Sequence, residues 1–286
     1  MEPNLLQILF LGLVQGAAEL LPVSSSAHVI VAEKLMGLDP SSPTMTFLLV
    51  MLHTGTMVAV IAYFSNAWKR TFFANAASLR ETAVNVIVAT VATLVVGLAL
   101  KVLIEKVFIQ GSSKGEMEDL FGHLPLVGGA LLTAGLLILI AGYLGGSRGT
   151  RSLGILSSVW IGISQGFCLP FRGLSRSGTT ISVGMLQGIN RQRVEEFSFA
   201  LAVIITPPAV AKELMRLLKS HAEAASPHHL LYLIGPGLFG MIGAFVAGLL
   251  ALRLLSSWLE KGHWAWFGYY CIAFSGFVFF LASRGY

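Results

Sequence analysis

The stretch Ser175-Arg176-Ser177-Gly178-Thr179-Thr180 is polar and carries a cation, yet it stands between two apolar segments, Gly154–Cys168 and Ile181–Ile189. About 150 residues earlier, the stretch Pro22-Val23-Ser24-Ser25-Ser26-Ala27-His28 interrupts another apolar segment in the same way. In a hydrophobic chain, hydroxyl and ionisable groups are costly to bury and usually mark a functional site. The two interruptions therefore predict where the site lies.

The composition is that of a membrane protein. Of the 286 residues, 55% are hydrophobic and 12% are charged, whereas soluble domains carry about 25% charged residues. Several apolar runs approach or exceed the roughly 20 residues that cross the core of a bilayer. We therefore predict an all-α polytopic membrane protein rather than a soluble one. The net charge of +5 is small and is explained by basic loops, so no nucleic-acid partner is expected.

Six segments have the length of full spans, and two further pairs of segments are shorter. The predicted spans are Thr44–Phe64, Ala83–Leu103, Leu124–Leu144, Phe197–Leu218, Leu230–Leu255 and Trp264–Ala282. Each shorter pair is interpreted as a re-entrant broken helix, that is, a helix, an interruption and a second short helix. These pairs are Asn4–Leu21 with Ser24–Gly37, and Gly154–Cys168 with Thr179–Ile189. We predict that residues 1–286 form a single membrane domain.

Basic residues in the loops predict the orientation. If each broken pair returns to the side from which it came, these residues share one face, which the positive-inside rule makes cytoplasmic. The first pair then enters from outside and the second from inside, so the two halves are inverted. The basic residues concerned are Lys69, Arg70, Arg80, Arg148, Arg151, Arg191, Arg193, Arg253 and Lys261.

A constant offset of 150 residues relates the two halves of the chain. We predict an inverted-topology repeat, with repeat one at approximately 1–145 and repeat two at approximately 150–286. Proteins of this plan bind their ligand near the membrane midplane, between the halves. The identities at this offset are Gln15-Gly16 with Gln165-Gly166, Ser25 with Ser175, Phe47 with Phe197 and Thr56 with Thr206.

The two interruptions have the composition of a phosphate site. Irregular backbone at membrane depth is tolerated only inside protein or beside water, so both interruptions should line one cavity. Each precedes a short helix, and helix N-termini favour anions. Arg176 adds a planar fork that matches phosphate oxygens, and Arg172 either contacts phosphate or lies at the surface. Hydroxyl groups, some of which are expected to act only as helix caps, come from Ser24, Ser25, Ser26, Ser175, Ser177, Thr179 and Thr180.

The first interruption and the helix before it carry the groups that suit catalysis. Gln15 and Glu19 share a helix face, where they would hold a divalent metal that also binds phosphate oxygens. His28 lies three residues after Ser25, so the pair would act as base and nucleophile, or His28 would attack phosphorus itself. In the alternative interpretations, Glu19 only forms a structural ion pair with Arg176, and His28 only packs.

These motifs resemble those of the bacterial undecaprenyl-diphosphate phosphatases, also called bacitracin-resistance proteins. The matching stretches are Gln15-Gly-Ala-Ala-Glu19-Leu-Leu-Pro22-Val-Ser-Ser-Ser-Ala-His28 and Gly173-Leu-Ser175-Arg176-Ser177-Gly178-Thr-Thr180, and the resemblance covers essentially the whole chain. It implies a multi-pass bacterial inner-membrane enzyme that removes the terminal phosphate of undecaprenyl diphosphate. This reaction recycles the lipid carrier for peptidoglycan synthesis and gives bacitracin resistance. The resemblance also implies Mg²⁺ or Ca²⁺ and an active site open to the periplasm.

The resemblance also implies roles for individual residues. Glu19 corresponds to the second glutamate of the family's Glu-x-x-x-Glu motif, and Ser25 and His28 correspond to its hydroxyl and histidine. Gln15 stands where the first glutamate is expected, and Arg172 stands where a proline is usual. The family's phosphate-binding motif corresponds to Ser175, Arg176, Ser177 and Thr180.

A transporter or flippase of a prenyl phosphate or another anion is the alternative function. Inverted repeats with broken helices are typical of secondary transporters, which need no hydrolysis. The expected partners are a lipid diphosphate and membrane lipids, and a homodimer is left open. His53, in the stretch Leu52-His53-Thr54-Gly55-Thr56, is a further candidate site residue.

Overall fold

The computed structural model describes residues 3–39, 42–108, 123–145, 149–221 and 227–285. In these ranges the regular structure is helical, apart from one bridge between Arg151 and Ile189. The helices are α1 Leu5–Leu20, α2 Ser25–Leu35, α3 Pro43–Thr71, α4 Ala76–Phe108, α5 Leu124–Leu144, α6 Ile155–Cys168, α7 Arg176–Leu186, α8 Arg191–His221, α9 Pro227–Glu260 and α10 Trp264–Ser283.

Five helices of the described ranges are long and apolar enough to cross a membrane. They correspond to five of the six predicted spans, and the prediction of an all-α polytopic membrane protein is confirmed. The sixth predicted span, Phe197–Leu218, lies within α8, which continues through Pro207 and Pro208. The spanning ranges are Thr44–Thr71, Ala76–Lys106, Leu124–Leu144, Ile234–Glu260 and Trp264–Ser283.

The two short helix pairs are interrupted where the polar stretches lie. α1 ends at Leu20 and α2 begins at Ser25, whereas α6 ends at Cys168 and α7 begins at Arg176. α7 therefore begins three residues before the predicted start at Thr179. The reason is a helix cap, because the Ser175 side chain accepts a hydrogen bond from the backbone N–H of Gly178 at 3.2 Å.

The basic segment at 66–81, which lies between two predicted spans and was expected to be a loop, is largely helical. α3 extends to Thr71, and its last turn carries Lys69 and Arg70, where positive charge complements the helix dipole. α4 begins at Ala76, so only a short connection separates the two helices. Most of the segment between the predicted spans Ala83–Leu103 and Leu124–Leu144, and the basic residue Arg148, lie outside the described residues.

Helices of the first half pack against helices of the second half. α1 packs on α9, α4 on α6, α3 on α8 and α5 on α10. On α1, Gly16 lies directly against the backbone carbonyl of Ala244, and on α6, Gly162 lies directly against that of Ala89. Small residues allow such close backbone approach between membrane helices. These contacts hold α1 against α9 and α6 against α4.

Candidate functional site

Glu19, in the last turn of α1, joins the two interruptions. Its Oε1 accepts a hydrogen bond from Nη2 of Arg176 at 2.9 Å, although 157 residues separate the two in the chain. Its Oε2 accepts hydrogen bonds from Oγ of Ser25 and, at 3.3 Å, from Nε2 of Gln15. The side chains of Glu19 and Arg176 are only 16% and 21% exposed, so solvent screens their attraction weakly. The structure thus places three other predicted site residues, Arg176, Ser25 and Gln15, around the Glu19 carboxylate.

Serine hydroxyl groups also connect the two polar stretches to each other. The N–H of Gly173 donates to Oγ of Ser26 at 3.3 Å, and Oγ of Ser177 lies 3.4 Å from the carbonyl oxygen of Leu21. Each interruption thus supplies a hydroxyl group that hydrogen-bonds to the backbone of the other. These contacts fix the starts of α2 and α7 relative to each other.

A small cavity beside Glu19 and Arg176 is lined by α3 and α8. His53 belongs to this cavity, with Nε2 3.9 Å from Oε2 of Glu19 and Nδ1 2.8 Å from the carbonyl oxygen of Leu49. Because a carbonyl oxygen only accepts, Nδ1 carries the proton and Nε2 faces the carboxylate side of the cavity. The full lining is Glu19, Leu20, His53, Thr56, Met57, Val60, Arg176, Ala202, Val203 and Thr206.

Two threonines of this lining were not predicted as site residues. Thr56 lies on α3 and Thr206 on α8, and both line the cavity beside Glu19. The sequence did contain a signal, because these residues match at the 150-residue offset of the predicted repeat. A threonine that recurs at the same repeat position and near the predicted site is a reasonable candidate for the lining.

Ser24 gives α2 an unusual start. Its backbone has φ 67° and ψ 95°, and it is the one non-glycine residue with positive φ in the described ranges. Its hydroxyl lies 3.3 Å from that of Ser26 and makes no capping hydrogen bond to α2. Such a conformation costs about 1–3 kcal/mol and is found mostly at functional sites. The first N–H groups of α2 are left without a cap from Ser24.

His28 is held by α10. Its Nδ1 lies 2.8 Å from the carbonyl oxygen of Ser24 and its Nε2 lies 2.7 Å from the hydroxyl of Tyr270. The ring also stacks on Phe274, with centroids 4.0 Å apart. No hydrogen bond among the described residues joins His28 to Ser25, its predicted partner. Sequence reasoning missed Tyr270, because it is one of several aromatic residues in an apolar helix.

The second polar stretch mainly builds the start of α7. Besides the cap from Ser175, the fully buried Thr180 places Oγ1 2.8 Å from the carbonyl oxygen of Arg176 and 2.6 Å from the hydroxyl of Ser198. Arg172 interacts electrostatically with Glu33 of α2. The predicted phosphate-binding roles of Ser175, Thr180 and Arg172 stay predictions.

The donor set around Glu19 fits a hard divalent cation. The oxygen donors that meet here are the Glu19 carboxylate and the Ser25 hydroxyl, while the amide of Gln15, which is 1% exposed, turns its nitrogen to the carboxylate. No cluster of three His, Cys, Asp or Glu side chains suited to a metal occurs in the described part of the chain. Mg²⁺ often binds through one or two carboxylates while water and substrate phosphates supply its other ligands. Such partial coordination is what this site offers.

The fold and the site define a polytopic membrane protein in which two interrupted helices bring together a carboxylate, a guanidinium group and hydroxyl groups. The family model described as Bacitracin resistance protein BacA matches residues 8–277, and the chain belongs to this family. It is a multi-pass inner-membrane protein.

Relatives cover nearly the full length of the chain. An Acinetobacter baylyi protein named undecaprenyl-diphosphatase 2 is 54% identical over 282 residues, which are 98% of each chain. An undecaprenyl-diphosphatase of Desulfosudis oleivorans is 32% identical and matches over 99% of this chain and all of its own. Another, of Korarchaeum cryptofilum, is also 32% identical, over 93% of this chain and 95% of its own.

Proposed function

We propose that this protein hydrolyses undecaprenyl diphosphate to undecaprenyl phosphate and inorganic phosphate. The reaction returns the lipid carrier to cell-wall synthesis and accounts for bacitracin resistance. The observation that carries the proposal is the meeting of Glu19, Ser25 and Arg176 at the starts of two helices. A carboxylate that accepts a hydrogen bond from a hydroxyl, beside a guanidinium group, is suited to phosphoryl transfer.

Arg176 binds the diphosphate. Its Nη2 is paired with Glu19, whereas its Nη1 is buried without a hydrogen-bond partner among the described residues. A buried donor without a partner is costly, and a phosphate oxygen would satisfy it. The uncapped N–H groups at the start of α2 would bind further phosphate oxygens.

Ser25 supplies the nucleophile in this proposal. Its Oγ attacks the terminal phosphorus, its proton passes to Oε2 of Glu19, and the P–O bond to the lipid monophosphate breaks. Glu19 gives this proton to the departing lipid monophosphate. Water then attacks the phosphoserine and gives a proton to Glu19, which passes it to Oγ of Ser25 as the P–O bond to serine breaks and inorganic phosphate leaves. The existing hydrogen bond from Ser25 to Glu19 favours this order over attack by His28, whose nitrogen atoms bond Ser24 and Tyr270.

A divalent cation, Mg²⁺ or Ca²⁺, is the proposed cofactor. Glu19 would hold it, together with the amide oxygen of Gln15. When bound, it would neutralise charge on the phosphate oxygens. Because Glu19 is the one carboxylate in this donor set, we expect substrate and metal to bind with mutual dependence.

His53 is proposed to orient the Glu19 side chain. Its Nδ1–H donates to its own helix, so Nε2 has a fixed direction toward the cavity, 3.9 Å from the carboxylate. This separation leaves room for the small shift that hydrogen bonding requires. Thr56 and Thr206 would contact the same substrate group from the two sides of the cavity.

The proposed arrangement is an inverted repeat with the site between its halves and open to the periplasm. In support, helices α1–α5 and α6–α10 follow the same order of short, short, long, long and medium lengths. The packing of α1 on α9 corresponds to that of α6 on α4, and both contacts use glycines at the 150-residue offset. The basic residues of the loops support the orientation, because the positive-inside rule places them on the cytoplasmic face.

The test is phosphate release from undecaprenyl diphosphate by the protein in detergent. We expect release with Mg²⁺ or Ca²⁺ and loss of release after EDTA. Arg176→Ala and Glu19→Ala should each reduce kcat/KM by at least about 10³-fold, because each removes a group that acts on the transferring phosphate. Arg193→Ala is the matched control, since that arginine is 49% exposed and pairs with Glu196, outside this site.

Two results would contradict the proposal. The first is absence of phosphate release under every metal condition while the protein keeps its helical circular dichroism. The second is an Arg176→Ala variant as active as wild type, which would show that the phosphate binds elsewhere. Translocation of the lipid monophosphate in liposomes without hydrolysis would support a flippase instead.

A further inference from the structure

His28 connects the strained start of α2 to α10. Its Nδ1 lies 2.8 Å from the carbonyl oxygen of Ser24, which also accepts the backbone N–H of His28 at 3.4 Å. Because a carbonyl oxygen only accepts, Nδ1 must carry the proton. In the neutral ring, Nε2 then has the lone pair, and the hydroxyl of Tyr270 donates to it at 2.7 Å.

The plane of the His28 ring is fixed as well. Phe274 stacks on it at 4.0 Å between centroids with 6° between planes, and Tyr270 lies nearly parallel at 5.6 Å. Tyr270 and Phe274 are four residues apart on α10 and so share one face of that helix. One helix of the second half therefore fixes both the tautomer and the orientation of a side chain of the first half.

The hydrogen bond from His28 stabilises a carbonyl group in a strained part of the backbone. Ser24 has φ 67°, a conformation that serine adopts only at an energetic cost, and its own side chain does not cap α2. The next residue is Ser25, whose hydroxyl bonds Glu19. Whatever holds the Ser24 peptide therefore also sets the position of the Ser25 hydroxyl.

We propose that Tyr270 and His28 are positioning residues, which hold the carbonyl of Ser24 and thereby keep the Ser25 hydroxyl on Glu19. In this arrangement neither nitrogen of His28 takes part in proton transfer or attacks phosphorus. The inference rests on the proposed function for its kinetic test, whereas the NMR signal of the His28 ring tests it without any activity.

Two substitutions of His28 separate positioning from chemistry. In His28→Asn, the amide nitrogen occupies nearly the place of Nδ1 and still donates to the Ser24 carbonyl, whereas His28→Ala removes that donor. We expect His28→Asn to keep kcat within about tenfold of wild type and His28→Ala to lose about 100-fold or more. Equal inactivity of the two variants would overturn the proposal, because only a reacting imidazole would make asparagine as poor as alanine.

Tyr270→Phe tests the other end of the connection. Tyr270 is 46% exposed, so loss of its hydroxyl opens no cavity. We expect kcat to fall about fivefold with little change in KM, which is the rate equivalent of one ordinary hydrogen bond. Tyr269→Phe is the matched control on the same helix, because that hydroxyl bonds Tyr143 at 2.6 Å and should leave kcat unchanged.

The hydrogen bond between His28 and Tyr270 also predicts that the effects of substituting the two residues do not add. In the His28→Asn background, Tyr270→Phe should cause no further loss, since its partner nitrogen is gone. An equal loss in both backgrounds would mean that Tyr270 acts independently of His28, contrary to the proposal.

A spectroscopic measurement separates this inference from the proposed activity. The His28 ring signal of ¹⁵N-histidine-labelled protein is identified by its disappearance in His28→Asn. In wild type it should report the tautomer with the proton on Nδ1, and Tyr270→Phe, but not Tyr269→Phe, should shift it. A signal that is unchanged in Tyr270→Phe would refute the inference even if the protein is an active phosphatase, and a shift would support it even if no hydrolysis is found.

Discussion

The two interruptions occupy corresponding places in the two halves, yet they are built differently. The first, at residues 21–24, is short and ends at Ser24, which has a positive φ and does not cap α2. The second, at 169–175, is longer and places its positive φ of 110° on Gly173, where it costs little. It ends at Ser175, which caps α7 in the ordinary way.

The difference separates two tasks. At the second interruption the backbone is relaxed, and its hydroxyl groups mostly stabilise the start of α7. Arg176, the first residue of α7, is therefore held by a well-capped helix. At the first, strain is concentrated beside the hydroxyl that contacts Glu19, and the helix start is left uncapped. Strain of this kind persists only where surrounding structure enforces it. We therefore assign phosphate binding mainly to the second interruption and bond making to the first.

Alanine substitution of Ser25 and of Ser175, which match at the 150-residue offset in sequence, tests that division most strongly. Ser25→Ala should lower kcat by about 10³-fold or more, because it removes the proposed nucleophile, while the thermal unfolding midpoint changes little. Ser175→Ala should instead cost about 1 kcal/mol of stability through loss of the helix cap and should lower kcat much less. Phosphate release and circular dichroism melting in detergent measure the two effects.

The reverse result would contradict this assignment of tasks to the two interruptions. If Ser175→Ala were the less active variant, the chemistry would lie at the second interruption, and Ser25 would be a structural residue. The neighbouring Ser164→Ala, on α6, serves as the control, since its hydroxyl bonds only the carbonyl oxygen of Ile161 within its own helix.

A methyl group at Gly173 should produce the largest stability effect. A Cβ there would meet the backbone carbonyl oxygen of Val127, and alanine disfavours the φ of 110°. We expect Gly173→Ala to cost about 2 kcal/mol and to lower the unfolding midpoint. Gly154→Ala is the control, because a Cβ at that position meets open space and its φ is −131°. A Gly173→Ala protein as stable as this control would show that the second interruption is not tightly packed.

Relief of strain at Ser24 should give the smallest effect, and one of opposite sign. Ser24→Gly places a residue that tolerates positive φ at the strained position, so we expect a gain of about 0.5–1 kcal/mol in stability, offset in part by loss of the contact to Ser26. Ser26→Gly makes the same chemical change inside α2 and should destabilise the protein. If Ser24→Gly lowered the stability as Ser26→Gly does, the backbone of Ser24 would carry no strain.

Sequence reasoning predicted the helices well where apolar runs are long, and the interruptions well where hydroxyls and charges break those runs. It erred at boundaries. α7 begins three residues before the predicted start because Ser175 and Arg176 belong to its cap and first turn. α3 and α4 extend through much of the basic segment between two predicted spans, because charged residues at a helix end resemble a loop in composition.

The candidate site was predicted in part. Glu19 and Arg176 were both expected, and their ion pair was considered as an alternative to phosphate binding. Their contact is compatible with both, since one nitrogen of Arg176 remains without a partner in the described part of the protein. His53 gained importance because α3 places it over Glu19. His28 does not bond Ser25, its predicted partner, because its two ring nitrogens bond the carbonyl oxygen of Ser24 and the hydroxyl of Tyr270.

The sequence by itself determined that this protein is a bundle of membrane helices with two polar interruptions, because apolar length and local polarity are properties of consecutive residues. Only the tertiary structure decided which groups meet. The contacts of Glu19 with Arg176 and of His28 with Tyr270 join residues 157 and 242 positions apart. Such contacts depend on how α1, α2, α7 and α10 pack, and that packing is set by the shapes of many helix surfaces together.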